Sequence, residues 1–216
     1  MPYITPHPDK KAHGGTAVII RQNLKHHLGT SYSTEHIQAT SIVLEDYMGE
    51  ITVTAVYSPP KHNIKTLDYE HFFNTLGHRF IAGGDYNAKN TYWASRTTTK
   101  GRELHIAMRN NNLQHISSCQ PTDWPSDMTK QPDLLDFCIA KGIATQKVSV
   151  ESCLELTSDH TPILVTMHTY FLQQPKKPSL SNKNPDWEVF RELIETQINL
   201  KIPLKWTLNW KTRSTN

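Results

Sequence analysis

The sequence predicts an α/β domain of layered sheets and helices, and three observations carry the prediction. Short runs rich in Val, Ile, Thr and Tyr recur along the chain at strand length. Stretches with apolar residues at helical spacing interrupt them. Acidic motifs stand beside apolar runs, where buried strands end. Strands with helices between them bury both sheet faces and helix stripes best in a layered α/β arrangement.

The elements follow in order. The first thirteen residues are rich in Pro and charge and are expected as coil. After the Gly14-Gly15 turn, Thr16 to Gln22 reads as a strand. Glu35 to Glu45 and Glu50 to Ser58 are two more, joined as a hairpin through Asp46-Tyr47-Met48-Gly49. In the second of these, Ile51, Val53, Ala55 and Tyr57 fall on one face, and Pro59-Pro60 ends the strand. Tyr69, Phe72, Phe73 and Leu76 recur at helical spacing and predict a short amphipathic helix. A strand ending at Asp85 comes next, then a helix near Gly101 carrying Leu104, Ala107 and Met108, then a strand over Leu113 to Ser117. Cys119 to Leu134 is polar and rich in Pro, Asp and Thr, as a long functional loop would be. Strands recur at Leu135 to Ala140, Gln146 to Glu151 and Pro162 to Tyr170. The expected organisation is therefore a domain over 1–170, a Pro-, Ser- and Lys-bearing linker over 171–185, and a helical tail over 186–216. Asn184 can cap that last helix with Pro185 at its first position, and Trp187, Phe190, Ile194 and Ile198 give it an apolar face.

At 216 residues and 37% hydrophobic content the chain can bury a core of its own. It has no run of about eighteen apolar residues, so no membrane-spanning helix is expected, and no apolar stretch follows Met1 as a secretory signal would. The net charge of +3 is compatible with a polyanionic partner and equally with an ordinary surface. Cys119, Cys138 and Cys153 lack zinc-type spacing, and their odd number fits a reducing compartment. Most of the twelve histidines, His26-His27 included, are expected to be solvated.

Three motifs carry chemistry. GGDYNAKN holds Asp85 and Asn87, expected to point the same way through the two-residue period of a strand. LLDFCI holds Asp136, and a charged group within an apolar strand costs free energy unless it is paired. SDHTPI holds Asp159 and His160. Any one of these is commonly a turn or cap residue. Together, carboxylates, an amide and an imidazole at strand mouths suit metal-assisted phosphoester hydrolysis. A hard cation such as magnesium prefers carboxylate oxygens, for which Asp85 and Asp159 are candidates. Asp136 could orient His160 through its second ring nitrogen. Asn87 and Tyr57 could donate hydrogen bonds to a phosphate.

In that order, GGDYNAKN, LLDFCI and SDHTPI resemble the endonuclease/exonuclease/phosphatase family, which includes DNase I and apurinic endonucleases. The finer pattern is similar to the endonuclease domain of non-LTR retrotransposons of the jockey or telomere-specific type. It comprises GGTAVIIR (Gly14 to Arg21), AVYSPP (Ala55 to Pro60), GDYNAKNTYW (Gly84 to Trp93), GRELHIAM (Gly101 to Met108), PTDWP (Pro121 to Pro125) and PDLLDFCI through SDHTPIL. The tail NPDWEVFRELIE resembles the spacer before the reverse transcriptase of such elements.

The resemblance implies a four-layered α/β sandwich, DNase I-like, with helices outside two mixed sheets. It implies nicking of DNA with Mg2+ or Mn2+, leaving a 3′-hydroxyl that primes reverse transcription, in a nuclear setting and alongside a reverse transcriptase of the same polyprotein. Carried over by motif, Tyr57 contacts the phosphate, Asp85 serves the water or leaving oxygen, and Asn87 orients the phosphate. Asp136 pairs with His160, His160 serves the phosphate and nucleophile, Asp159 serves the metal, and Thr122 belongs to a DNA-reading loop. Trp93 is expected to be structural. The family opens with a strand bearing an active-site Asn and a segment whose Glu binds the metal. No motif before Gly14 matches either, and Glu35 stands in the wrong place. The domain is therefore expected to lack its first strands and to have weak or no activity. A phosphoinositide or phospholipid phosphoesterase of the same fold, and a non-catalytic nucleic-acid-binding module, are the competing readings.

Overall fold

Alternating β-branched residues build the centre of the molecule. In a computed structural model that describes residues 2–9, 11, 13–61, 63–127, 129–153, 158–175 and 186–197, β5 (Gln38–Asp46) and β6 (Gly49–Tyr57) pair antiparallel along their whole length. The turn is two residues, Tyr47-Met48, one step tighter at each side than the four-residue expectation, because Asp46 pairs directly with Gly49. Gly49 has φ +107°, a conformation that glycine adopts without a Cβ penalty. The strand β7 (Phe80–Asp85) then joins β6 in parallel after crossing through helix α1 (Thr66–Asn74).

The remaining strands extend this sheet on both sides. Beyond helix α2 (Thr99–Asn110), β8 (Gln114–Ile116) and β9 (Asp136–Lys141) add antiparallel partners in the order β7-β9-β8. On the other edge β3 (His26–Leu28) and β4 (Tyr32–Ser33) both pair with β5, completing seven strands. Two separate hairpins stand apart from this sheet: β1 (Pro2–Thr5) with β2 (Thr16–Ile19), and β10 (Val148–Ser152) with β11 (Ile163–Met167).

Both faces of the seven-stranded sheet are covered. On one, α1 and α2 bring Tyr69, Phe72, Phe73, Leu104, Ala107 and Met108 against Ala39, Val56, Phe80, Ala82 and Phe137. Burying each large side chain here contributes roughly 2 kcal/mol. On the other, Ile42, Leu44, Ile51, Ile81, Cys138 and Ala140 pack against Tyr3, Val18, Val150, Ile163 and Met167 of the two hairpins. The described residues thus supply a helix layer, a mixed central sheet and, on its other face, two separate two-stranded hairpins: the α/β class expected, with three layers described where four are implied.

The first thirteen residues are not all coil: β1 forms because β2 offers it a complete antiparallel ladder. Nor is His26 solvated, since its Nδ1–H donates to the Leu24 carbonyl at 2.7 Å and its Nε2 lies 3.1 Å from the Tyr3 hydroxyl.

Residues Met1–Pro175 and Lys176–Asn216 form separate units. In the second, helix α3 (Trp187–Gln197) is capped by Asp186, whose Oδ1 accepts the N–H groups of Glu188 and Val189 at 3.1 Å each. The cap expected at Asn184 and Pro185 lies outside the described residues.

Candidate active site

The ladder itself assembles the acidic centre. Tyr57, the last residue of β6, pairs with Asp85, the last of β7. Asp85 in turn pairs with Asp136, the first of β9. Because β9 runs antiparallel to β7, its beginning lies at the end of the sheet where β6 and β7 finish. Three side chains from distant motifs therefore line up on one edge of the sheet. Glycine makes this closeness possible: a Cβ on Gly84 (φ +149°) would stand 1.9 Å from the Val56 carbonyl oxygen.

Asn87 joins the group by a route different from the one expected. It lies beyond the strand with φ +47°, in the left-handed region, so strand alternation does not set its direction. The reversal lets its own N–H donate to Asp85 Oδ1 at 3.0 Å and its Nδ2 donate to Asp85 Oδ2 at 2.6 Å and to the Ser58 carbonyl at 3.2 Å. An Asn tolerates this conformation better than most residues.

His160 is held in place by the long loop. Asp123 bridges both Asp133 and His160, Thr161 N–H donates to the Thr122 carbonyl, and Trp124 N–H donates to the Asp159 carbonyl. The ring then donates from Nδ1 to Asp136 Oδ2 at 2.7 Å, which fixes its orientation, while Nε2 lies 3.8 Å from Asp123 Oδ1. Thr122 is fully buried, and its hydroxyl accepts the N–H groups of Leu135 (3.0 Å) and Asp136 (2.8 Å). Its side chain thus anchors the start of β9 and faces inward. Trp124 of the same loop is exposed, with its indole N–H on Thr161 Oγ1. Asp159 is exposed, with Ser158 Oγ donating to its carboxylate at 3.1 Å.

The charges shift one another in a consistent pattern. Burial, reinforced by the like charge of Asp136, pushes the Asp85 carboxyl up to about 6, against the opposing Asn87 N–H, His160 and Lys100. Burial disfavours the charged His160 ring, but the hydrogen bond and charge of Asp136, with Asp85 and Asp123, outweigh it and raise the imidazole pKa. Burial and the Asp85 charge raise the Tyr57 phenol, so it stays a hydrogen-bond donor.

Two neighbours carried no sequence signal. Lys100, on α2, is buried and donates to the carbonyls of Ser58 (3.0 Å) and Pro59 (2.7 Å), and burial lowers its pKa to about 8 against the pull of Asp85. Lys89 pairs with buried Asp133 at 2.5 Å and so braces the loop that delivers His160. Both GRELH and NAKN then have a packing reason. A Cβ on Gly101 would stand 1.8 Å from the Lys89 carbonyl oxygen, so only glycine lets α2 cross there. Trp93 is structural, as expected: its indole N–H donates to the Ala88 carbonyl and its ring packs on Phe137.

Residues 51–164, which contain every member of this cluster, match the Endonuclease-reverse transcriptase family. The chain belongs to that family. It is 34% identical over 203 residues to the RNA-directed DNA polymerase from mobile element jockey of Drosophila melanogaster, and 32% identical over 202 residues to its Drosophila funebris counterpart. These alignments take in 93% of the chain and 22% of each relative, so the chain spans about a fifth of the length of the proteins it matches. Among solved structures, the endonuclease domain of TRAS1, a telomere-specific non-LTR retrotransposon, superposes with a TM-score of 0.60 at 18% identity. That match covers 77% of this chain and 80% of the other, and it shows the shared fold.

Proposed function

We propose that this chain is a retrotransposon-type endonuclease domain that hydrolyses a DNA phosphodiester to leave a 3′-hydroxyl. The observation that carries the reading is the Asp85–Asp136–His160 arrangement. A register-paired carboxylate couple has one member orienting an imidazole and the other held near neutrality. Tyr57 donates its phenolic hydrogen to a non-bridging phosphate oxygen. His160, held by Asp136, presents Nε2–H to the same phosphate and steadies the charge that develops there. Asn87 fixes the direction of Asp85. With its pKa near 6, Asp85 is placed to carry the proton that leaves the attacking water and ends on the departing 3′-oxygen.

The donor set fits a hard divalent cation, because the charge of Asp136, opposite it on one ladder rung, raises the cost of ionising Asp85, and a cation relieves it. Asp159, from the adjoining loop, would hold Mg2+ or Mn2+, which when bound supplies positive charge to shield the phosphodiester from its nucleophile. DNA as substrate, the nucleus as setting and a reverse transcriptase as polyprotein partner belong to this proposal, as does 186–216 as the spacer toward that partner. No observation favours a lipid phosphoester.

Nicking of supercoiled plasmid tests it. Weak magnesium-dependent nicking with 3′-hydroxyl ends is expected, slowed about 10²- to 10⁴-fold further in His160→Ala. Equal nicking by wild type and His160→Ala, or none with either Mg2+ or Mn2+, would overturn the reading.

A further inference from the structure

A second group of ligating side chains lies beside Tyr57 and takes no part in the chemistry above. The segment between β1 and β2 places His7, Asp9 and His13 so that one donor atom from each lies within 4.8 Å of the others. His7 Nδ1 is 2.8 Å from Asp9 Oδ1, and His13 Nε2 is 3.4 Å from Asp9 Oδ2, so both imidazoles turn a nitrogen to one carboxylate. The two rings are 4.3 Å apart. Ligands of a tetrahedral ion with bonds near 2.1 Å are separated by about 3.4 Å, so only small shifts of these side chains are required.

The scaffold under this group is fixed. Thr40 of β5 donates to Thr5 Oγ1 at 2.8 Å, and its hydroxyl lies 2.8 Å from that of Thr16, tying both strands of the hairpin to the central sheet. Gly14 and Gly15, at φ +64° and +85°, turn the chain back tightly. A Cβ on Gly14 would meet Tyr57 at 3.2 Å and His7 at 3.4 Å, so the two rings flank one backbone position. Asp9 Oδ1 also accepts the Lys11 N–H at 2.9 Å, which holds the carboxylate in place. His7, Asp9 and His13 line a cavity of about 380 Å³ together with Glu35, Tyr57 and Pro59. Glu35, judged misplaced from sequence alone, is therefore a carboxylate facing the same space as Tyr57.

We propose that His7, Asp9 and His13 form a binding site for a divalent transition-metal ion of the zinc class at the rim of the candidate active site. Two imidazole nitrogens with one carboxylate suit zinc, cobalt or nickel and disfavour magnesium, which prefers an all-oxygen shell. The cavity leaves a further coordination position open, with Glu35 and Tyr57 facing it. This site is independent of the nuclease reading, because none of its three ligands belongs to the Asp85 cluster.

The test uses the untagged full chain, stripped with a chelator and titrated with zinc under a large excess of magnesium. Calorimetry and native mass spectrometry should show one zinc per chain, and cobalt should give visible d–d bands. His13→Ala and Asp9→Asn should each weaken zinc binding by more than about tenfold and bleach the cobalt bands. His13 is exposed, so its replacement leaves the fold intact, which circular dichroism verifies. Asp85→Asn and His160→Ala should bind zinc as the wild type does. Zinc retained by His13→Ala, zinc lost instead in His160→Ala, or no zinc held under magnesium would each overturn the proposal.

Discussion

Replacing Asp85 by Asn should stabilise the fold near neutral pH while removing the proposed activity. In the metal-free protein the Asp85 carboxyl is raised from 3.8 to about 6, chiefly by burial and then by the charge of Asp136. The native state therefore holds a proton that the unfolded chain has already released. A raised carboxyl pKa leaves stability at full strength below the unfolded pKa and drains it as pH climbs through the folded one. Across that window the loss is about 3 kcal/mol at 1.36 kcal/mol per pKa unit. Asparagine carries no such proton, so this pH-dependent loss vanishes. Against it, the amide gives up part of the acceptance from the Asn87 N–H and side chain, a cost of about 1 kcal/mol. The net expectation is a variant about 2 kcal/mol more stable at about pH 7.5, with no advantage at about pH 4. Urea unfolding of both proteins in EDTA across that range measures it, and an NMR titration of Asp85 gives the folded pKa directly. A stability difference that does not vary with pH would refute the reasoning.

Other perturbations probe the frame around the site. Asp46→Asn leaves the largely buried Arg79 guanidinium without the carboxylate it grips at 2.5 and 2.8 Å, so chemical denaturation should show a loss of about 3 kcal/mol. The Arg79 hydrogen bond holds the Asp46 pKa down to about 2, so the wild type should keep this stabilisation above the usual carboxylate pKa and lose it as pH falls through about 2. Thr122→Val should cost roughly 1–3 kcal/mol for each of the Leu135 and Asp136 N–H groups it strands, and it should slow nicking with little change in KM. Thr122→Ser should restore both. Gly101→Ala forces α2 away from the Lys89 carbonyl and should lower thermal stability by about 1–3 kcal/mol or more in a calorimetric scan.

Periodicity revealed the elements whose burial is regular. β5, β6, β7, β9, α1 and α2 each bury a face against the same sheet, so their apolar spacing survives in the sequence. β1, β3 and β4 do not show it, because they are short and owe their extended shape to the partner ladder and to contacts such as Tyr3 with His26. In the site, Asp85, Asp136 and His160 were legible because polar residues at strand mouths stand out. Asn87 was found with the wrong geometry, since a single left-handed residue leaves no periodic trace. Lys100 was invisible: a lysine on an amphipathic helix reads as solvated, and only the fold shows that it caps the Ser58 and Pro59 carbonyls. Asp123 sat within a motif but had no distinguishing spacing, and its approach to His160 depends on backbone bridges between loop segments.

Because Tyr57, Asp85 and Asp136 are register partners across three adjacent strands, a single-residue insertion or deletion inside β7 or β9 would swing a carboxylate to the opposite surface of the sheet. Length changes in the Cys119–Leu134 segment carry no such penalty as long as the bridge from Asp123 to His160 is kept. Mutation is thereby sorted into two channels. The strand-borne carboxylates are held by register, while the connecting segment is free to lengthen and shorten.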